Sequence, residues 1–222
     1  MGTGRRARTG LPAARKLTLR DGTRILVRPI LPVDKDRLRE GFARLSQASR
    51  YRRFMTSMEA LSDRQLRYFT EIDYSDHMAW VAMDPDHPAH PGLGVARYIR
   101  LAEDPTTAEA AVTVLDEQQG RGIGTILLEV LAESARAHGI RRFRGYVLAE
   151  NTPMIEILAG LGATVAREGI LLRVDVPIPA SPEGLPDTPT GRVFKSLAKR
   201  ELPLFQLRYP GMPDHAEDAP RT

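Results

Sequence analysis

The chain has 222 residues, no cysteine and a formal net charge of +4. That length is enough for one domain with a substantial interior, and the absence of cysteine excludes disulfides, thiolate nucleophiles and cysteine-ligated zinc. No apolar run approaches the ~18–20 residues that cross a bilayer, and no apolar block follows the basic N-terminus, so no membrane span or secretory signal is expected and the localisation reads as cytoplasmic.

The charge is unevenly placed. Arg5, Arg6, Arg8, Arg15 and Lys16 stand in a stretch without acids, and setting them aside leaves the remainder at about −1. Residues 1–16 therefore read as a basic, disordered leader with no nucleic-acid partner implied. From Leu17 to Pro177 strand-like and helix-like patterns alternate, as in a mixed α/β domain. Residues 17–27 predict a hairpin around Asp21-Gly22. A first helix follows Pro32, with Leu38, Phe42 and Leu45 on one face. The basic segment 49–54 reads as a further helix whose arginines form a charged outer face, while Tyr51 and Phe54 are candidates for shaping an acceptor cleft.

The next helix has a well-marked start: Ser62 as cap, Gln65 three residues on, and Leu61 placed to meet Leu66. Strands are expected over 78–83 and 94–101, with the proline-rich loop 84–92 between them, and a third over 109–115. His87 and His90 near Asp84 and Asp86 resemble a metal cluster only superficially; prolines make the loop a turn-rich surface segment, and no metal is expected. His77, before a strand, is a candidate for lining the acceptor cleft. The longest helix carries Ile123, Ile126, Leu127, Val130 and Leu131 on one stripe, with Gly139 as its C-terminal cap. A strand over 143–148, a helix over 152–161 and a last strand over 170–176 complete the domain. Residues 178–222 read as a proline-rich tail with a short helix near 191–200, able to dock on its own domain or on a neighbouring subunit of a homodimer.

The stretch that carries chemistry is the passage from strand to helix through Gln119-Gly120-Arg121-Gly122-Ile123-Gly124. Glycines let the backbone bend and approach a ligand, and the first N–H groups of a helix point outward with no internal partner. With the positive end of the helix dipole they form a seat for a phosphate or diphosphate. A P-loop would need Gly-Lys-Ser or Gly-Lys-Thr where Gly124-Thr125-Ile126 stands, and the dinucleotide fingerprint would need a glycine at Thr125.

The spacing Gln119-x-x-Gly122-x-Gly124 resembles the acyl-CoA signature of the GNAT superfamily of N-acetyltransferases. The order of elements from about Leu17 to Pro177 is similar too. The wording Arg28-Pro29-Ile30, Ser49 to Phe54, Ala108-Glu109 and Leu148-Ala149-Glu150-Asn151 looks like that of bacterial Pat-type protein lysine acetyltransferases. The resemblance implies an α/β (α+β) fold with a mixed, mostly antiparallel sheet flanked by helices on both faces. It also implies acetyl-CoA as cosubstrate, held by Val112, Val114, Gln119, Gly120, Arg121, Gly122, Ile123, Gly124 and Thr125. Asn151 either caps its helix or bonds the pantetheine or an ordered water.

Transfer to an amine needs a free lone pair, so a carboxylate must take the proton of an acceptor that is charged at neutral pH. Glu109 is the candidate base. It shares a strand face with Ala111 and Thr113, and the six steps to Leu115 span about 20 Å, comparable to a pantetheine arm. The resemblance assigns the same role to this position. Leu158 stands where many relatives carry a tyrosine acid, leaving solvent to protonate the thiolate. Three readings follow: a protein lysine acetyltransferase, a small-molecule amine acetyltransferase, or a non-catalytic module that senses acyl-CoA.

Overall fold

Asp21 and Gly22 turn the chain back on itself at the start of the sheet: Gly22 takes φ +85°, and the Thr23 N–H donates to Asp21 Oδ1 at 2.9 Å. The strands on either side, β1 (Arg15–Thr18) and β2 (Arg24–Pro29), pair antiparallel with Leu17 opposite Ile25. Arg15 and Lys16, assigned above to the leader, thus stand in the sheet, and the Arg15 guanidinium lies over the Trp80 ring and pairs with Glu133 at 2.5 Å. The computed structural model describes residues 11–54, 58–89, 91–149, 155 and 163–178.

Three short helices follow: α1 (Lys35–Arg44), α2 (Gln47–Phe54) and α3 (Asp63–Thr70). The last has the expected reciprocal cap. Ser62 Oγ accepts the Gln65 N–H at 3.3 Å, and Gln65 Oε1 accepts the Ser62 N–H at 2.8 Å. Strands β3 (His77–Met83), β4 (Gly92–Arg100) and β5 (Thr107–Val114) then run to the glycine turn and α4 (Ile123–Ala137). Gly139 at φ +80° ends that helix as predicted, letting the Ile140 N–H reach back to the Ala135 carbonyl at 2.9 Å. β6 (Arg142–Leu148), β7 (Thr164–Glu168) and β8 (Leu171–Pro177) complete an eight-stranded sheet in the order β1-β2-β3-β4-β5-β6-β8-β7. All neighbours are antiparallel except β5 and β6. The sequence reading did not assign β7. The helix expected over 152–161 and the tail from 179 lie outside the described residues.

Helices cover both faces. On one, α4 lays Ile123, Leu127, Leu131 and Ala135 against Met78, Trp80, Ala96, Tyr98, Ala110 and Val112, all buried. Small strand residues let the helix sit close. A Cβ at Gly94 would stand 2.8 Å from the Thr113 carbonyl oxygen and 3.2 Å from Leu127 Cδ1. The Trp80 indole N–H donates to Ser134 Oγ at 2.9 Å, which in turn donates to the Val130 carbonyl, so these two buried polar groups are satisfied. On the other face Phe42, Leu45, Met58, Leu61, Leu66, Phe69 and Leu115 form a second apolar cluster under α1 and α3. That cluster is braced by Asp34, which forks Arg28 with two bonds of 2.7 Å and accepts the Leu31 N–H at 2.8 Å. Burial opposes the charge on Asp34, but the Arg28 fork and the Leu31 N–H outweigh it and hold the carboxyl below its ordinary range.

Candidate active site

The glycine turn is open on one side and anchored on the other. Gly120 takes φ +73° and Gly122 φ +88°, conformations that cost an L-residue about 1–2 kcal/mol. Gly122 precedes α4, and no side chain caps that helix. A Cβ built at Gly120 or Gly122 meets nothing within 4 Å, so the bend is not plugged by the chain itself there. The anchoring comes from polar side chains. Arg121 donates to Asp21 Oδ2 at 2.8 Å and Thr23 Oγ1 at 2.5 Å, and also bonds Gln118. Its guanidinium is therefore tied to the β1–β2 hairpin, which leaves the main chain of Arg121 as its contribution to the turn. Gln119 Nε2 donates to the Val114 carbonyl at 3.2 Å, bracing the exit from β5.

Register decides what β5 offers. Its bonded pairs with β4 run from Thr107 with Leu101 to Leu115 with Leu93, so the odd-numbered residues turn their N–H and C=O toward β4. The even-numbered ones, Ala110, Val112 and Val114, turn theirs toward β6. The parallel ladder with β6 covers only Thr107↔Arg142, Ala108↔Phe143 and Glu109↔Arg144. Beyond Glu109 the two strands part, leaving a strip of β5 main chain on the edge of a wedge. The side chains of Val112 and Val114 belong to the α4 face, so only their backbone can serve a ligand in the wedge.

Glu109 stands where the ladder ends, 3% exposed, opposite Ile99 on one side and Arg144 on the other. It shares its face with Ala111 and Thr113, as alternation requires, and this is the face under α1–α3. Arg144 is held by Asp175 at 2.7 Å, which raises the guanidinium pKa further. Arg97, opposite Ala111, is the diagonal neighbour of Glu109 on this face. It is 2% exposed, donates to the Phe69 carbonyl at 3.1 Å and lies 4.6 Å from the Phe69 ring centre.

Next along the face is a mostly apolar cavity of about 90 Å³, walled by Phe42, Phe54, Leu61, Phe69 and Leu115, with Arg97 and Thr113 at its floor. Asp34, Arg37 and Arg53 also line it, whereas Glu109 does not. The acceptor-cleft expectations divide here. Phe54 lines the cavity, while Tyr51 points out at 44% exposure. His77 stands behind Arg97, with Nε2 2.7 Å from Arg97 Nη1. A guanidinium only donates, so this Nε2 accepts and the ring proton sits on Nδ1. Burial, then the Arg97 charge, lower the His77 pKa to about 3 against a weaker opposite pull from Asp73.

Three inward-facing arginines, Arg50, Arg53 and Arg97, were not expected from the sequence. The arginines of α2 are not all a charged outer face. Arg53 is 4% exposed, and Arg50 turns inward to the Leu45 and Ala43 carbonyls at 2.9 and 2.8 Å and over the Phe42 ring. Arg97 could have been found, because Val95, Arg97 and Ile99 alternate against Ala96 and Tyr98 and so share the inner face. In the loop after β3, His87 Nδ1 lies 2.8 Å from Asp84 Oδ2, no group of three metal-ligating side chains occurs among the described residues, and His90 lies outside them. Thr125, Ile123 and Gly124 are all buried in the first turn of α4. Asn151 and Leu158 lie outside the described residues.

Known proteins resemble this chain in sequence and fold. Residues 41–163 match the acetyltransferase (GNAT) family. The chain is 38% identical over 172 residues to acetyltransferase Pat of Mycolicibacterium smegmatis, covering 74% of this chain and 51% of that protein. It thus spans about half the length of that relative. An acetyltransferase of Pseudomonas aeruginosa is 32% identical over 151 residues, covering 68% of this chain and 81% of its own. The crystal structure of the GNAT domain of S. lividans PAT superposes with a TM-score of 0.67 at 33% identity, covering 76% of this chain and 99% of that domain. No helix among the described residues is long and apolar enough to cross a membrane.

Proposed function

This chain belongs to the GNAT family of acetyltransferases, and we propose that it transfers the acetyl group of acetyl-CoA directly to the side-chain amine of a protein lysine, with Glu109 as general base. The observation that supports this most is the end of the β5–β6 ladder at Glu109↔Arg144. It leaves one continuous edge of main chain with a buried carboxylate at one end and the glycine turn at the other. From Glu109 to Val114 that edge advances about 17 Å, the scale of an extended pantetheine arm.

The residues fit the cosubstrate. The uncapped first turn of α4, Ile123, Gly124 and Thr125, offers outward N–H groups at the positive end of the helix, and the glycines leave room for a diphosphate. Main-chain groups of Ala110, Val112 and Val114 would hold the pantetheine amides, with the backbone of Gln119, Gly120 and Arg121 closing the turn. Asn151 would bond the same arm or a water beside it.

Bound acetyl-CoA supplies the thioester carbonyl as electrophile. Glu109, directly or through water, takes one proton of the acceptor ammonium, which frees the nitrogen lone pair to form the C–N bond as the C–S bond breaks, and the second proton that the nitrogen sheds on becoming an amide passes to solvent. Solvent returns a proton to the departing thiolate. The cavity walls formed by Phe42, Phe54 and Leu61 suit the methylene stem of a lysine. Arg37, Arg53 and Arg97 beside an Asp34 already forked by Arg28 disfavour a polycation such as a polyamine or aminoglycoside. The likeness to Pat-type acetyltransferases supports the same acceptor class.

The test is acetyl transfer to lysine-containing proteins by wild type and Glu109→Gln, with coenzyme A binding measured in parallel. General-base loss should lower the rate about 10²–10⁴-fold while coenzyme A affinity stays near wild type. Equal rates would remove Glu109 from the chemistry. Coenzyme A binding without thiol release for any amine would instead support an acyl-CoA sensor.

A further inference from the structure

The glycine turn and the cavity are built from distant parts of the chain, and one carboxylate joins them. Asp116 opens the 3₁₀ turn that leads into Gln119 and the glycines. Its Oδ2 accepts the Ser46 N–H at 2.8 Å, and its Oδ1 accepts Ser46 Oγ at 3.2 Å and Ser49 Oγ at 2.6 Å. Ser46 immediately precedes α2, and its hydroxyl accepts the Ser49 N–H at 3.1 Å. Asp116 therefore completes the cap of α2 and sets a negative charge at the positive end of that helix. Ser49 is 6% exposed, so its bond to Asp116 is sheltered, while the two Ser46 bonds stand nearer solvent. Burial opposes the charge on Asp116, but the Ser46 N–H and the two hydroxyls outweigh it and keep the carboxyl below its ordinary range.

Neighbouring contacts stiffen the link. Glu117, the next residue of the turn, pairs with Arg44 in the last turn of α1 at 2.6 Å. Arg50 of α2 closes the α1–α2 junction through the Leu45 and Ala43 carbonyls. At the far end of α2, Arg53 and Phe54 line the cavity. A path of hydrogen bonds and one short helix thus leads from the turn to the cavity wall.

We infer that Asp116 is a positioning residue that couples the two sites, so that filling the glycine turn steadies α2 and with it the wall set by Arg53 and Phe54. This rests on reading the turn as the acyl-CoA seat. Asp116 touches neither ligand in this scheme. By linkage the coupling is reciprocal: whatever steadies the cavity wall also favours the filled turn.

Hydrogen–deuterium exchange of residues 47–54 in the full chain, with and without coenzyme A, tests the coupling. In wild type, coenzyme A should slow exchange across α2 on the order of tenfold, within the usual range for coupled sites. In Asp116→Ala, coenzyme A should still bind with near wild-type affinity by calorimetry, and the slowing should vanish. Ser49→Ala removes the shortest of the three bonds from the helix side and should diminish the slowing, which decides the matter if Asp116→Ala does not fold. Asp116→Asn keeps an acceptor oxygen and should retain part of the effect. Slowing that persists undiminished in the variants, or no slowing in a wild type that binds coenzyme A, overturns the coupling. A wild type that binds no coenzyme A removes the reading of the turn, and this inference with it.

Discussion

Replacing Gly122 by alanine separates what the turn needs from what its ligand needs. The backbone there has φ +88° and ψ 0°, and an L-residue in that region costs about 1–2 kcal/mol. The added methyl meets nothing within 4 Å, so no steric penalty joins the backbone one. For a domain of this size ~1 kcal/mol corresponds to roughly 2–4 °C in Tm, and the melting point should therefore fall by about 2–8 °C. Binding should suffer more. The methyl would occupy the open side of the bend, where the proposed diphosphate would approach the main chain. Losing one hydrogen bond to a charged group costs about 1.5–3 kcal/mol, or roughly 10–100-fold in Kd for coenzyme A. The two effects are read by thermal denaturation without ligand and by calorimetric titration with coenzyme A. A Tm that falls as expected while Kd is unchanged would show that the diphosphate does not sit at this bend, and the reading of the turn as the acyl-CoA seat would fall.

Further outcomes follow from the fold. Gly94→Ala would place a Cβ 2.8 Å from the Thr113 carbonyl oxygen; neither the β4–β5 ladder nor α4 can yield cheaply, and denaturant titration should show a loss of about 1–3 kcal/mol. An unchanged midpoint would mean that the sheet relaxes around the extra carbon. For His77 the sign is set by a folded pKa of about 3 lying below the unfolded value of about 6.5. Between these values the unfolded chain binds a proton that the folded one refuses, so this contribution to stability is complete above about pH 6.5 and falls as the pH drops toward 3. Urea midpoints measured across that window should show a slope that His77→Gln flattens. A slope unaltered in the variant would assign the acid sensitivity to other groups.

Much of this protein could be read along the chain because the signals are local. The Ser62–Gln65 cap, the α4 stripe ended by Gly139, the Asp21-Gly22 hairpin and the glycine turn each depend on residues within a few positions of one another. The same holds for the face of Glu109, which follows from strand alternation. β7 was not legible. Val165 is exposed at the sheet edge, so Thr164–Glu168 lacks the buried alternate residues that mark a half-buried strand. The inward arginines of α2 were misread for a related reason. Charge usually means solvent, and what brings Arg50 and Arg53 inward is a neighbouring set of carbonyls and aromatic rings that the linear pattern does not display.

By itself, then, the amino-acid order determined most of the elements, with β7 the exception, their caps and the identity of the residues at the turn, since each is settled by short-range backbone chemistry. Only the tertiary structure decided that β5 and β6 part company just past Glu109, that Arg97 and His77 stand back to back behind the cavity, and that Asp116 reaches across to cap α2. Those relations join residues 20 or more positions apart, and they exist only once twist, register and packing have brought the separate stretches of chain together.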